Sequence, residues 1–450
     1  MRPRLATGLE GLALALACLT LAWGPLAQGS TFGWGLRGLT LLGSVTLAVT
    51  LVALGVRGQV RASNPGWLAL ALAFLAWVWA STGWAPYKWE AYRWAGVWTA
   101  VIGMAVSLHL LATTRARQAV VLTVMVLTGV AALALAYLQT RGVFVPGFEY
   151  YPGAGPNLVT GPYFNPSHFS GFLIPVAALL TSLILLTRPH LHTLALAGLL
   201  AALHWLNLKT DASSIPAVFL ATALPFLVWV WTKCRWVGAT LTGLALGTAV
   251  FGGVFFLSPQ GQALFAQHKS QIGLANSWQR FVVVRQAVWR YGEDMWQQHP
   301  LTGTGVGQFL VEAPRYRAVE RVVGTGMDAK AVNYAHSDYL QLLAELGVIG
   351  LGLFSAVLLT PFLRPRNARS FLLWPSALIA LAFASVYDGH LTVLPGTFLT
   401  AFGLLALAAT TTTRKPRACS SLHRVPVHAR PSARGNLTGA EEAILHVDER

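Results

Sequence analysis

The sequence predicts an all-α polytopic membrane protein, with about twelve transmembrane helices and one large outside loop that carries an amphipathic helix. Three observations predict it. The residues are 55% hydrophobic and only 11% charged, where a soluble domain carries about 25% charged residues. The apolar residues run in stretches of about 17–22, and about 20 cross a hydrocarbon core of about 30 Å. The seventeen Trp fit the same reading, because Trp anchors helices at the membrane–water interface.

Taken in order, the apolar stretches lie at 8–28, 36–56, 67–84, 92–112, 118–138, 168–187, 192–208, 214–232, 237–257, 338–360, 370–387 and 391–409. The start, Met1-Arg-Pro-Arg before a long apolar run, has the shape of a signal peptide. More spans follow, so it reads as an uncleaved first helix. With the N-terminus inside, the inside segments carry Arg2, Arg4, Arg57, Arg61, Arg115, Arg117, Arg188, Lys233, Arg235, Arg364, Arg366 and Arg369. The short outside connections carry Arg37, Lys88, Arg141 and Lys209. This alternation follows the positive-inside rule and places both termini in the cytoplasm.

The chain then divides into five parts. Residues 1–138 hold the first five helices. Residues 139–257 hold the next four behind a Gly/Pro-rich loop at 139–167. The large outside loop is 258–337, the last three helices are 338–409, and 410–450 is a basic, then mixed-charge tail that reads as disordered. The net charge of +16 would suggest nucleic acid in a soluble protein. Here the basic residues sit in short clusters between apolar runs, so topology accounts for them and no nucleic-acid partner is expected. The three cysteines, Cys18, Cys234 and Cys419, form no CxxC or metal spacing. Neither a disulfide nor a structural zinc is expected.

The large loop is the most informative part. From Asn276 to Gln298 the apolar residues, among them Trp278, Phe281, Val288, Trp289 and Trp296, recur at helical spacing. Asn276 or Ser277 suits an N-cap, and Pro300 and Gly303 end the run. Such a helix is expected to lie along the membrane surface with its Trp face down. It carries Arg280, Arg285 and Arg290, and Arg285 shares a face with Trp289. The glycines of HPLTGTGVGQF do not form a phosphate loop, because no strand precedes them and no Lys-Ser/Thr follows; they read as a tight turn, with His299 shaping it. His336 then lies where the tenth helix starts. Ser337 suits its N-cap and Asp338 its positive end. Glu345 lies about two turns deeper, where a carboxylate must pair or face a cavity.

Arg285-x-x-x-Trp289, then His299-Pro-Leu-Thr-Gly-x-Gly-x-Gly-x-Phe309, then His336-x-Asp-Tyr-Leu-Gln-Leu-Leu-x-Glu-x-Gly347 resembles the signature region of the O-antigen ligase superfamily in order and spacing. Gly161-Pro-Tyr-Phe-Asn-Pro-Ser-His-Phe-Ser-Gly-Phe-Leu173 is similar to that family's Asn-Pro element before a helix, at Asn165. The resemblance implies a metal-independent glycosyltransferase in the bacterial inner membrane that needs no cofactor. Such proteins move a glycan from undecaprenyl diphosphate to an acceptor on the periplasmic side, so the large loop would be periplasmic. The acceptor is a lipid A–core sugar in ligases of lipopolysaccharide biosynthesis. In polymerases it is another lipid-linked glycan, and in related enzymes a protein hydroxyl. Membrane lipids complete the expected partners.

The resemblance also implies roles. The family's functional histidine maps to His336, for activation of the acceptor hydroxyl, and its loop arginine maps to Arg285, for the diphosphate. An arginine fork binds phosphate oxygens in bidentate fashion, and histidine titrates in the range a base needs. Arg280 is a second diphosphate candidate, and Asp338, Glu345, Asn165 and Trp289 are supporting candidates. Each has a plain structural alternative: a surface arginine ordinarily snorkels to lipid phosphates, and an interfacial histidine is ordinarily solvated. One departure stands out. Where the family carries a Ser-Arg pair, this chain reads Asn207-Leu-Lys-Thr-Asp-Ala-Ser-Ser-Ile-Pro216, with Ser214 or Ile215 at the arginine position. Lys209 is the candidate to supply the missing charge, against a simpler pairing with Asp211. A transporter or flippase of lipid-linked glycan is the alternative class. It predicts charges deep in several spans and an internal repeat, and besides Glu345 only His109 and His204 lie well inside spans.

Overall fold

The computed structural model describes residues 2–60, 62–258, 260, 275–316, 332–363 and 374–410, with side chains left aside at 2, 248–257, 275–284 and 374. The expected disordered tail, Cys419, and the Arg61, Arg364, Arg366 and Arg369 of the charge pattern lie outside the described residues.

Each apolar stretch becomes a helix. In chain order these are α1 (Arg2–Leu26), α2 (Gly33–Arg57), α3 (Pro65–Ser81), α4 (Lys88–Leu111), α5 (Arg115–Thr140), α6 (Pro166–Leu186), α7 (Leu191–Leu208), α8 (Ile215–Lys233) and α9 (Arg235–Leu257). The loop helix α10 (Ala275–Gln298) follows, then α11 (Asp338–Leu359), α12 (Trp374–Ala384) and α13 (Pro395–Ala409). Among the described residues there is no strand, and eight helices are long and apolar enough to cross a membrane. Pro65–Ser81, Pro375–Ala384 and Pro395–Ala409 are apolar but shorter. The protein is a multi-pass membrane protein.

Lipid tails are as apolar as leucine, so such helices associate through close packing of small residues and interhelical hydrogen bonds. Both are present. A Cβ at Gly43 of α2 would lie 2.5 Å from the Ala100 Cβ of α4. Thr50 donates to Ser107 at 2.9 Å across the same pair, and Thr20 bonds Thr46 at 3.2 Å between α1 and α2. The centre is aromatic: Trp98 stacks on Phe398 at 5.2 Å and meets Phe74 edge-on at 5.0 Å.

The connections gather at two ends. At one end, Gln28 donates to the Glu149 carbonyl at 2.7 Å, Trp84 to the Gly303 carbonyl at 3.2 Å, and the Val159 amide to the Lys209 carbonyl at 3.0 Å. The Asp338 amide donates to the Ser385 carbonyl at 2.9 Å. Residues 28–32, 82–87, 141–165, 209–214, 299–316, 332–337 and 385–394 thus belong to this end. At the other end Arg57 and Arg117 both reach buried Glu10.

The loop helix corrects one expectation. Val288, Tyr291 and Met295 of α10 are buried against Phe309, Ala335 and Ala344. From Val288 to Met295 the apolar stripe therefore faces protein rather than lipid, because α11 and the turn before it cover it; the side chains of Trp278 and Phe281 lie outside the described residues. The Trp289 indole turns inward too, donating to the His336 carbonyl at 3.3 Å.

Candidate functional site

The segment after α10 is strapped onto α11. Thr304 and Gly305 donate to the carbonyls of Ala344 and Glu345 at 2.9 and 2.8 Å, and Val348 donates back to the Pro300 carbonyl at 3.0 Å. The crossing requires glycine on both segments. Gly303 and Gly347 have φ of +65° and +68°; a Cβ on Gly303 would lie 2.3 Å from the Glu345 carbonyl carbon, and one on Gly347 2.2 Å from the Leu301 carbonyl oxygen. Glu345 finishes the strap: its carboxylate accepts from the amides of Gly307 and Phe309 at 2.8 and 2.9 Å and from Gln341 at 2.7 Å. The HPLTGTGVGQF stretch is thus a returning turn clamped by a carboxylate.

The strap fixes the start of α11. Ser337 stands at the N-cap, but its side chain makes no cap bond, contrary to expectation. Gln341 takes the local role by accepting from the Ala335 amide at 2.7 Å, and Asp338 reaches across to the turn 385–394. There it accepts from the Leu391 amide at 2.7 Å and from the Thr392 hydroxyl. Asp338 is therefore a brace between two connections. His336 itself holds φ of +50°, a left-handed conformation that costs a non-glycine residue energy and gathers at functional sites.

Asp388 is the hub of what this brace positions. Its Oδ1 accepts from the Tyr334 hydroxyl at 2.8 Å and from the Gly389 amide at 2.9 Å, and lies 3.3 Å from His336 Nδ1. The His336 and Tyr334 ring centroids are 4.0 Å apart. His168 Nε2 lies 3.4 Å from the same tyrosine hydroxyl. Arg285 comes in from α10, its Nε donating to the Tyr387 carbonyl at 3.1 Å. Buried His390 pairs through Nε2 with Ser214 at 3.0 Å. It fits against Gly171, where a Cβ would lie 2.3 Å from its Nδ1.

The electrostatics are consistent with this geometry. Burial pushes the Asp388 carboxyl up, but the His336 hydrogen bond and the nearby His390, His336 and Arg285 outweigh it and hold it well below the usual range. Burial lowers the His336 pKa below its ordinary value, against the opposing pull of Asp388. The favoured state is a neutral imidazole donating Nδ1–H to a carboxylate, so that Nε2 carries the lone pair. His336 remains reachable, with its side chain 21% exposed beside an Asp388 at 1%. Burial and then Asp388 push the Tyr334 hydroxyl well above its ordinary value, so it stays a donor.

The predicted residues are sorted by this geometry. His336 and Arg285 meet at Asp388, and Trp289 and Asp338 hold them from either side. Glu345 serves the strap. Asn165 accepts from the Ser167 amide at 2.8 Å and caps α6. The Lys209 ammonium donates to the Pro156 carbonyl at 3.2 Å and lies 5.3 Å over the Trp205 ring. It joins neither Asp388 nor Asp211. Ser214, at the expected arginine position, meets His390 instead. The side chain of Arg280 lies outside the described residues. Asp388, Tyr334, His168 and His390 escaped the sequence reading. The available signal was the acid and histidine of Asp388-Gly-His390, alone between two apolar runs.

A cavity of about 220 Å³ opens beside the cluster, lined by His168, Asn333, Tyr334 and Thr392 on one side and by Arg93, Glu90 and Trp94 on the other. Among the described residues no group of His, Cys, Asp and Glu has the arrangement of a metal site.

Residues 199–355 match a family model described as O-Antigen ligase. The matched stretch takes in Arg285, His336, Asp338 and Glu345, and ends before Asp388. No curated protein matches the chain.

Proposed function

The chain belongs to the O-antigen ligase superfamily, and from that premise we propose that it transfers a glycan from undecaprenyl diphosphate to an acceptor hydroxyl. The reading places the twelve apolar helices across the bacterial inner membrane with both termini in the cytoplasm and the Asp388 end facing the periplasm. The observation that carries it is the contact of His336 Nδ1 with the Asp388 carboxylate, with Arg285 anchored one residue away on the Tyr387 carbonyl.

Neutral His336 takes the proton of the acceptor hydroxyl on Nε2. The freed oxygen attacks the sugar C1 from the face opposite the diphosphate. The C1–O bond breaks, its electron pair leaves on the diphosphate, and the configuration inverts. Asp388 holds the imidazole in the tautomer with Nε2 open and stabilises the imidazolium that forms, as the carboxylate of a catalytic triad does. Arg285 offsets charge growing on the leaving oxygens, where a fixed donor in a dry site is most effective. Tyr334 keeps the Asp388 oxygen aligned. No metal or nucleotide sugar enters the scheme. The acceptor reading favoured is a lipid A–core sugar, with a second lipid-linked glycan as the polymerase form of the same step.

Deleting the gene and complementing it with the Arg285→Ala variant tests this. Surface glycan should lose its capped forms in the deletion and stay uncapped with the variant at wild-type protein level. Full rescue by Arg285→Ala contradicts the assignment.

A further inference from the structure

The family's second diphosphate arginine is missing at Ser214, and Lys209 is turned toward Pro156 and Trp205. A different cation stands at the cavity. Arg93, in the second turn of α4, lines the 220 Å³ chamber beside Tyr334 and His168. It also lines a separate groove of about 670 Å³ between α2 and α4, together with Leu36, Arg37, Thr40, Ser44 and Tyr92. Leu36 and Arg93 are common to both spaces. The groove runs along α2 from Gly33 to Ser44, about 16 Å at the rise of a helix. Both helices meet the criteria of membrane spans, so it reaches from the site end into the depth of the bilayer.

The rim and the floor differ in chemistry. The floor is apolar apart from small hydroxyls, and the rim holds Arg37 and Arg93. Glu90 accepts from Arg93 Nε at 2.9 Å and from a second guanidinium nitrogen, and accepts from Trp94 at 3.2 Å. Glu90 thus pins the fork in one orientation. It engages two of the five N–H donors and leaves three for another anion. A cation held at the junction of a polar chamber and a lipid-facing apolar groove matches a molecule with a charged head and a long hydrocarbon tail.

Resting on the transferase reading above, we infer that the α2/α4 groove takes the tail of the lipid diphosphate donor, and that Arg93 is the second diphosphate-binding group of this chain. The first isoprene units lie in the groove, the diphosphate crosses the junction at Arg93, and the sugar enters the chamber toward His336. Arg93 therefore does for this protein what the arginine absent at Ser214 does elsewhere.

Binding to the full-length protein in nanodiscs tests the inference, with undecaprenyl diphosphate and geranyl diphosphate as probes. Arg93→Ala should weaken both by about 10- to 100-fold, the worth of a charge-assisted hydrogen bond. Arg93→Lys, which keeps the charge and loses the fork, should fall between. Ser44→Trp fills the far end of the groove, past the reach of a geranyl chain, and should weaken undecaprenyl diphosphate by about tenfold while leaving geranyl diphosphate within about twofold. Wild-type binding by Arg93→Lys and by Ser44→Trp overturns the inference. If those variants also transfer glycan normally while Arg285→Ala does not, the groove is wrong and the transferase reading stands. Failure of the unmodified protein to bind undecaprenyl diphosphate overturns both.

Discussion

The molecule holds a buried carboxylate among cations and histidine at each end, and the two ends use it differently. At the end away from the cavity, Glu10 places one oxygen on Arg57 and the other on Arg117. Close by, His109 accepts from the Asn64 amide at 3.3 Å through Nε2 and bonds Thr410 at 3.1 Å through Nδ1. Glu10 and His109 there each engage partners through both side-chain heteroatoms, which is how a buried polar network rigidifies a fold. At the cavity end, Asp388 engages His336 through Nδ1, while the imidazole stays partly exposed against the Tyr334 ring, which lines the chamber. The first arrangement is closed and fixes helices. The second is held from one side and leaves the imidazole partly exposed, which the transferase reading uses as a base. Residue type does not separate them; the number of engaged atoms does.

This contrast can be broken by mutation, beginning with the largest effect. Asp388→Asn removes the charge that orients His336 and stabilises its protonated form. Glycan transfer by the purified protein should fall by about 10²- to 10⁴-fold with the fold intact. A rate within about twofold of wild type would show that Asp388 is as structural as Glu10. The next effect is on pH. Because burial lowers the His336 pKa, the neutral base persists down to the ordinary histidine value of about 6.5. The rate should be level above that pH and decline as pH falls through the lowered pKa, up to tenfold per unit. A profile that rises into acid contradicts a neutral base.

Smaller effects sharpen the picture. Trp289→Phe keeps the ring and removes the indole N–H from the His336 carbonyl, a bond worth about 1 kcal/mol. Transfer should drop about fivefold through misplacement of the histidine, with Tm little changed; an unchanged rate would free Trp289 from any positioning role. Glu10→Gln sits last. It breaks two ion pairs at the closed end, one with an Arg57 that is 54% exposed. It should cost about 1–3 kcal/mol, read as a lower Tm. Transfer per folded molecule should stay within about twofold, and a selective loss of rate would link the two ends.

Much of the fold was legible because bilayer crossing imposes one length and one composition on every span. Each of the apolar stretches falls on a helix, and α10 begins within a residue of its expected start. The direction of the α10 apolar face was not legible, since a stripe looks the same whether protein or lipid covers it. In the site, His336 and Arg285 were legible through local motifs. Asp388 was not: it lies 52 residues from His336, and the apolar stretches ending at 387 and beginning at 391 leave only three residues around it, too few to carry a pattern. The Ser337 cap failed for a related reason. Propensity describes a helix start in isolation, and here Asp338 is drawn to partners in the 385–394 turn while Gln341 takes up the Ala335 amide. Glu345 was flagged as costly, and the bonds that satisfy it come from backbone amides that no side-chain motif records.

The most direct test of the open end is transfer by purified His336→Ala at pH 7, beside wild type, with Tm matched. A base held at Asp388 predicts a loss of about 10²- to 10⁴-fold and no remaining decline toward acid. Transfer at the wild-type rate, with the wild-type acid limb intact, would contradict the account.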